Sequence, residues 1–182
     1  RSDDDEVRYL QWVPGEGSWP CIVFLHGFGG MMTPYFRALV ESELGQKAIL
    51  LAPILDNTGA WWEEKGISLV KKLVEDNLPP GADRTRVYLM GLSNGAVGAT
   101  VAGTVPELAT RLRGFVLVSG IALLESDEPV HSDFLVLQGL DDVRFDSGYI
   151  DEGVERLRTL GANVEYETFV SNHFMLLKKS AE

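Results

Sequence analysis

The residues best placed to do chemistry are Gly91-Leu92-Ser93-Asn94-Gly95, a GxSxG pentapeptide. It follows Arg86-Val87-Tyr88-Leu89-Met90, a short apolar segment with β-favouring residues, and precedes residues 96–102, which are small and apolar. A strand, a sharp turn with serine at its apex and a tightly packed helix lift a serine Oγ above the end of a sheet. The glycines suit a strained turn that a neighbouring helix passes at short range. Such a serine is a nucleophile for acyl transfer if three partners join it. A base must take its proton, an acid must hold the base, and N–H donors must meet the oxyanion.

Of the three histidines, His26 and His131 stand in loops and His173 follows the last strand-like run. Catalytic groups in a chain of alternating strands and helices lie beyond the carboxyl ends of the strands. His173 meets that condition and gives the order Ser, Asp, His, so it is the expected base. The alternative is a surface residue beside the N-cap of the last helix. The acid should follow the strand at 134–137, where Asp141 and Asp142 both stand. Asp146 reads instead as a helix N-cap, and Asp133 lies at the wrong end of its strand. His26-Gly27-Phe28-Gly29-Gly30 follows another apolar strand, and its glycines let N–H groups turn inward. The backbone N–H groups of Phe28 and Asn94 are the expected oxyanion hole. A dinucleotide fingerprint would need Gly at 27, 29 and 32, and residue 32 is Met. There is no Walker A lysine, CxxC or HExxH, so no metal and no cofactor are expected.

Apolar runs predict strands at 21–25, 48–52, 86–90, 115–118 and 134–137, and segments 7–13 and 164–170 also read as strands. Helices are predicted at 34–44, with Thr33 as N-cap, Pro34 at N1 and Gly45 as stop, and at 60–77 on the stripe Ile67, Val70, Leu73, Val74. Further helices are expected at 95–105 and 146–160, with a helical turn opening at Pro106-Glu107-Leu108 and a terminal helix from His173 onward. Alternating strands and helices imply a mostly parallel sheet of about seven strands with helices on both faces. Residues 1–6 read as a charged tail and 7–182 as a single domain.

The chain has 182 residues, 27 acidic against 16 basic, for a formal charge of −11. That balance argues against nucleic-acid or anionic-membrane partners, which need a basic face. No apolar run approaches ~18 residues, so no membrane span is expected. The start at Arg1 reads as a processed or trimmed end; a cytoplasmic location is favoured, and secretion follows if a leader was removed. The single cysteine, Cys21, excludes an internal disulfide and reads as a small buried hydrophobe.

Taken together, these motifs resemble the α/β-hydrolase superfamily along the whole chain. The phospholipase/carboxylesterase branch, which includes acyl-protein thioesterases, is the most similar, and small feruloyl-esterase and polyester-depolymerase-type enzymes are similar too. Val23-Phe24-Leu25-His26-Gly27-Phe28-Gly29 matches the strand and oxyanion loop. Leu51-Ala52-Pro53 and Gly59-Ala60-Trp61-Trp62 match an Ala-Pro and Trp-aromatic-acid segment, with Glu63 in the acid place. Gln138-Gly139-Leu140-Asp141-Asp142 matches a His-Gly-x-x-Asp motif, and this match selects Asp142 as the acid. Gln138 stands for the usual His, Asn172 precedes His173 where glycine is common, and Val143-Arg144-Phe145 lacks the usual proline.

The resemblance implies an α/β-hydrolase fold without a large lid and a serine carboxylesterase with the triad Ser93, His173 and Asp142. The implied substrate is a small ester or thioester. Phe28, Trp61 and Trp62 are the expected pocket residues, with core packing of one of the two tryptophans as the equal alternative. Amidase or transacylase chemistry on the same site is an alternative, and so is an idle hydrolase fold used for binding. Only residues 120–132 fill the connection where lids usually arise, and Glu125, Asp127, Glu128 and His131 make it polar. A shallow, open pocket is therefore expected.

Overall fold

The computed structural model describes residues 7–179; the expected tail at 1–6 lies outside them. In chain order the elements are β1 (Tyr9–Trp12), β2 (Trp19–Leu25), α1 (Met32–Glu41), α2 (Glu43–Lys47), β3 (Ile49–Pro53), α3 (Glu64–Asp76), β4 (Ala82–Leu92), α4 (Asn94–Ala102), α5 (Pro106–Ala109), β5 (Gly114–Val118), β6 (Asp133–Gly139), α6 (Ser147–Thr159), β7 (Asn163–Phe169) and α7 (Met175–Lys179). The strands form one sheet in the order β1-β3-β2-β4-β5-β6-β7. β1 runs antiparallel to β3 and the other pairs are parallel.

The continuous apolar runs are explained by burial on both faces. Val23, Leu25 and Leu89 face one layer, where they meet Trp61, Val70, Leu73, Ala96, Ala99 and Ile150 from α3, α4, α6 and the loop before α3. Phe24, Leu50 and Met90 face the other, against Met32, Tyr35 and Leu39 of α1 and Met175 of α7. The stripe Val70, Leu73, Val74 of α3 is buried, and each such side chain contributes about 1.5–3 kcal/mol. α4 is apolar nearly all round because it is buried nearly all round, which is why its residues are small.

Two helix predictions need correction. The helix expected at 34–44 begins at Met32 and ends at Glu41. Ser42 turns the chain extended; its hydroxyl donates to the Leu39 carbonyl at 2.7 Å and accepts from the Leu44 N–H at 3.3 Å, starting the separate helix α2. Gly45 lies inside α2 rather than stopping a helix. The helix expected from residue 60 begins at Glu64. The residues before it are held in turns, with the side chain of Asp56 accepting from the N–H and hydroxyl of Thr58.

Residues 119–132 carry no helix or strand. Ile121 and Val130 are buried at the two ends. Arg156 of α6 holds the middle, donating to the Leu124 carbonyl at 2.9 Å, the Ser126 carbonyl at 2.8 Å and Asp127 Oδ1 at 2.6 Å. The segment is thus fixed to the body and is no large lid. Among the described residues no helix is long and apolar enough to cross a membrane.

Candidate active site

Ser93 sits between β4 and α4 with φ 55 and ψ −119. A non-glycine residue there costs about 1–3 kcal/mol, so its surroundings must enforce it. They do so from both sides. The Ser93 N–H donates to the Val118 carbonyl at 2.9 Å, and the Ser93 carbonyl accepts from Ala96 and Val97 at 2.8 and 3.1 Å. Gly95 has no room for a side chain, because a Cβ there would collide with the Leu25 carbonyl. The apex thereby projects the Ser93 hydroxyl above the carboxyl end of the sheet.

His173, between β7 and α7, reaches it. Its Nε2 lies 3.0 Å from Ser93 Oγ, and its Nδ1 lies 2.8 Å from Asp142 Oδ2. All three residues are buried. The other carboxylate oxygen of Asp142 accepts from the N–H groups of Arg144 and Phe145 at 2.8 and 3.1 Å. Asp142, not its exposed neighbour Asp141, makes the contact with His173. The Asp141 N–H donates to the Ser171 carbonyl at 2.9 Å, tying the acid loop to the histidine loop. Phe145 stacks on the His173 ring at 6.2 Å, and Phe174 meets it edge-on at 5.9 Å.

The loop from His26 to Gly30 crosses directly over the serine. A Cβ on Gly27 would lie 3.1 Å from Ser93 Cβ. The loop is held by the Gly29 N–H donating to the Asn57 carbonyl at 2.7 Å. Asn94 opens α4, so its N–H is one of the first-turn amides with no carbonyl four residues back. Its side-chain amide donates to the Thr58 carbonyl at 2.9 Å, joining the elbow to the 56–59 turn. The amides of Phe28 and Asn94 are therefore carried on the two segments that flank Ser93.

Of the three expected pocket residues, Phe28 is 73% exposed and Trp62 is 39% exposed, whereas Trp61 is 0% exposed. Trp61 has no surface to offer a substrate, and its assignment to the pocket is corrected. Its Nε1–H donates to the His26 carbonyl at 2.8 Å, and its ring meets the His26 imidazole edge-on at 5.0 Å. Its side chain occupies the space that a Cβ on Gly98 of α4 would take. Trp61 therefore supports the loop over the serine from beneath.

His26 belongs to that support. Its Nδ1 is 2.8 Å from the Gly27 carbonyl. Burial pushes the imidazole below its usual range, against the raising pull of that carbonyl and of the Asp56 charge. In an NMR titration His26 should lose its proton below the ~6.5 of a free imidazole. A midpoint at or above that value would mean that the ring is solvated and the loop more open.

Two contributors escaped the sequence reading. Gln138, which stands where the resembled motif has His, is fully buried, and its side-chain amide donates to the Phe145 carbonyl at 2.7 Å and the Gly139 carbonyl at 3.1 Å. It braces the loop that carries Asp142. Phe145 flanks the histidine; the only trace in the sequence is an aromatic residue three places after the acid. Among the described residues no cluster of three metal-ligating side chains occurs.

No family model and no curated protein matches the sequence. Solved structures do match its fold. Thermogutta terrifontis esterase 2 phosphorylated by paraoxon superposes with a TM-score of 0.72 at 16% identity, over 96% of this chain and 82% of that one. The butyrate-bound form of that esterase gives 0.68 at 16% identity, over 95% and 82%. The Bacillus cereus carboxylesterase gives 0.70 at 18% identity, over 97% and 93%. With its seven-stranded sheet, its strained serine between β4 and α4 and its likeness to these esterases, the chain has the α/β-hydrolase fold.

Proposed function

We propose that the chain is a serine hydrolase of carboxylic esters acting through Ser93, His173 and Asp142. The observation that carries this reading is the unbroken relay from buried Asp142 through His173 to Ser93 Oγ, at 2.8 and 3.0 Å. Neutral His173 donates its Nδ1–H to Asp142, leaving Nε2 to accept the serine proton as Oγ attacks the carbonyl carbon. The carbonyl oxygen becomes an oxyanion beside the N–H groups of Phe28 and Asn94, where the N-terminal end of α4 adds positive potential. Collapse breaks the ester C–O bond, and the imidazolium gives its proton to the leaving alcohol. Water then repeats the sequence on the acyl-enzyme, releasing the acid and restoring Ser93. An idle binding fold would have no need of this alignment. Thioesters present the same acyl carbon, whereas amides demand more of the acid step.

Short esters suit the site best. The pinned 119–132 segment supports an open mouth, and the similar esterase 2 is known with propionate and butyrate bound. Exposed Phe28 and Trp62 offer limited apolar surface. An apolar pocket gains about 0.8 kcal/mol per buried methylene until its length is used. With p-nitrophenyl esters, kcat/KM should rise over the first few acyl carbons and then fall, with no jump at the solubility limit. Matched thioesters should be cleaved and anilides hardly at all. A clear preference for long chains, or activation at an oil–water interface, would overturn the open-site reading. Failure to cleave any of these substrates would overturn hydrolase function.

A further inference from the structure

We propose that Arg144 selects esters whose leaving group carries a negative charge, an inference that rests on the serine-hydrolase reading above. Arg144 stands two residues after Asp142, and its backbone N–H is one of the two that hold that carboxylate. Its position is therefore fixed relative to the triad. Its guanidinium carbon lies 5.4 Å from the centre of the Phe174 ring, and that ring meets His173 edge-on. One aromatic ring thus separates a permanent cation from the base. The same charge reaches α1 across the rim: burial raises the Tyr35 phenol, and Arg144 pulls it back down.

Other arginines are used differently. Arg37, Arg86, Arg111, Arg113, Arg156 and Arg158 each pair with a carboxylate, and Arg84 donates to the Glu75 carbonyl at 3.2 Å. Arg144 is exposed and, among the described residues, has an aromatic ring as its partner and no carboxylate. The chain has a formal charge of −11. The net charge does not cancel its effect, because exposed charges more than about 8 Å apart are largely screened at physiological salt.

The reaction geometry decides which half of the substrate Arg144 meets. The carbonyl oxygen must turn toward Phe28 and Asn94, while the departing oxygen must lie within reach of His173 Nε2. The rim against His173 therefore receives the leaving group. A carboxylate or similar anion a few bonds beyond the departing oxygen would meet the guanidinium, which can grip it with two N–H donors.

The test compares two acetyl esters of equal reactivity, 4-acetoxyphenylacetate and its neutral amide, whose charge difference is insulated from the phenol by a methylene. The ratio of their kcat/KM values is the readout. In Arg144→Ala the anionic-to-neutral ratio should fall about fivefold, the upper end for an exposed ion pair, and the fall should lie in KM. Arg144→Lys should restore most of it and Arg144→Glu should reverse the preference. In the wild-type protein the ratio should also fall at about 0.5 M salt. Ratios that do not move with either the substitutions or salt would make Arg144 a packing partner of Phe174 and overturn the proposal. If the neutral ester is still cleaved in that case, hydrolase function stands. If neither ester is cleaved and Ser93 takes no fluorophosphonate, the hydrolase reading and this inference fall together.

Discussion

Ser93→Ala is expected to abolish labelling by a fluorophosphonate and to cut ester turnover by on the order of 10⁴-fold or more. Without Oγ there is no acyl-enzyme, and His173 has no hydroxyl to deprotonate. What survives is the positioning of the carbonyl by the flanking amides, which leaves only slow attack by water. The fold should survive as well. The turn is held by the backbone bonds of Ser93 to Val118, Ala96 and Val97, and these do not involve the hydroxyl. Labelling and turnover, read beside a thermal melt, separate loss of chemistry from loss of structure. Retention of more than a tenth of wild-type turnover by a folded variant would remove Ser93 from the mechanism.

The sheet was legible because the central parallel strands are buried on both faces and so must be apolar for several residues in a row, while the edge strand β7 alternates half-buried and exposed residues. The serine turn was legible for a related reason: a strained apex needs small neighbours, and those neighbours are visible as glycines and alanines. Helix ends were less so. Ser42 both ends α1 and starts α2, and one hydroxyl serving two helices has no signature beyond a serine in a helical stretch. The first four residues of β4 were missed because Asp83-Arg84-Thr85 is polar, and the strand is extended there by pairing of Trp19 with Ala82.

In the candidate site, the sequence shows residue types but not their orientation. Trp61 and Trp62 are adjacent and chemically alike, yet one is buried and the other half-exposed. Trp61 is captured by the space over Gly98, 37 positions further along the chain, and by the carbonyl of His26. Gln138 looked like a simple substitution because its partner, the Phe145 carbonyl, is a backbone group that no side-chain pattern reveals. In the sequence Arg144 shows only as a departure from a motif, since its placement over Phe174 depends on how the β6–α6 and β7–α7 loops meet.

The acid is where orientation matters most, and Asp142→Asn is expected to cost on the order of 10⁴-fold in kcat, far more than Asp141→Asn. The Asp142 carboxylate has one oxygen toward His173 Nδ1 and the other toward the N–H groups of Arg144 and Phe145. An asparagine must place its single carbonyl oxygen on one side. Facing His173, it would set its NH₂ against two backbone donors. Facing those donors, it presents NH₂ to His173 Nδ1, which must then accept, so the ring proton moves to Nε2. A histidine protonated at Nε2 cannot take the proton of Ser93. The two backbone donors thus enforce the wrong tautomer, and the loss should appear in kcat with KM little changed. Asp141 is exposed, and its structural bond to Ser171 is made by its backbone N–H, which Asn retains. Asp141→Asn should therefore stay within a few-fold of wild type, as surface changes usually do. If Asp141→Asn proves the more damaging of the two, the neighbouring carboxylate is the one that orients His173, and the assignment of Asp142 falls.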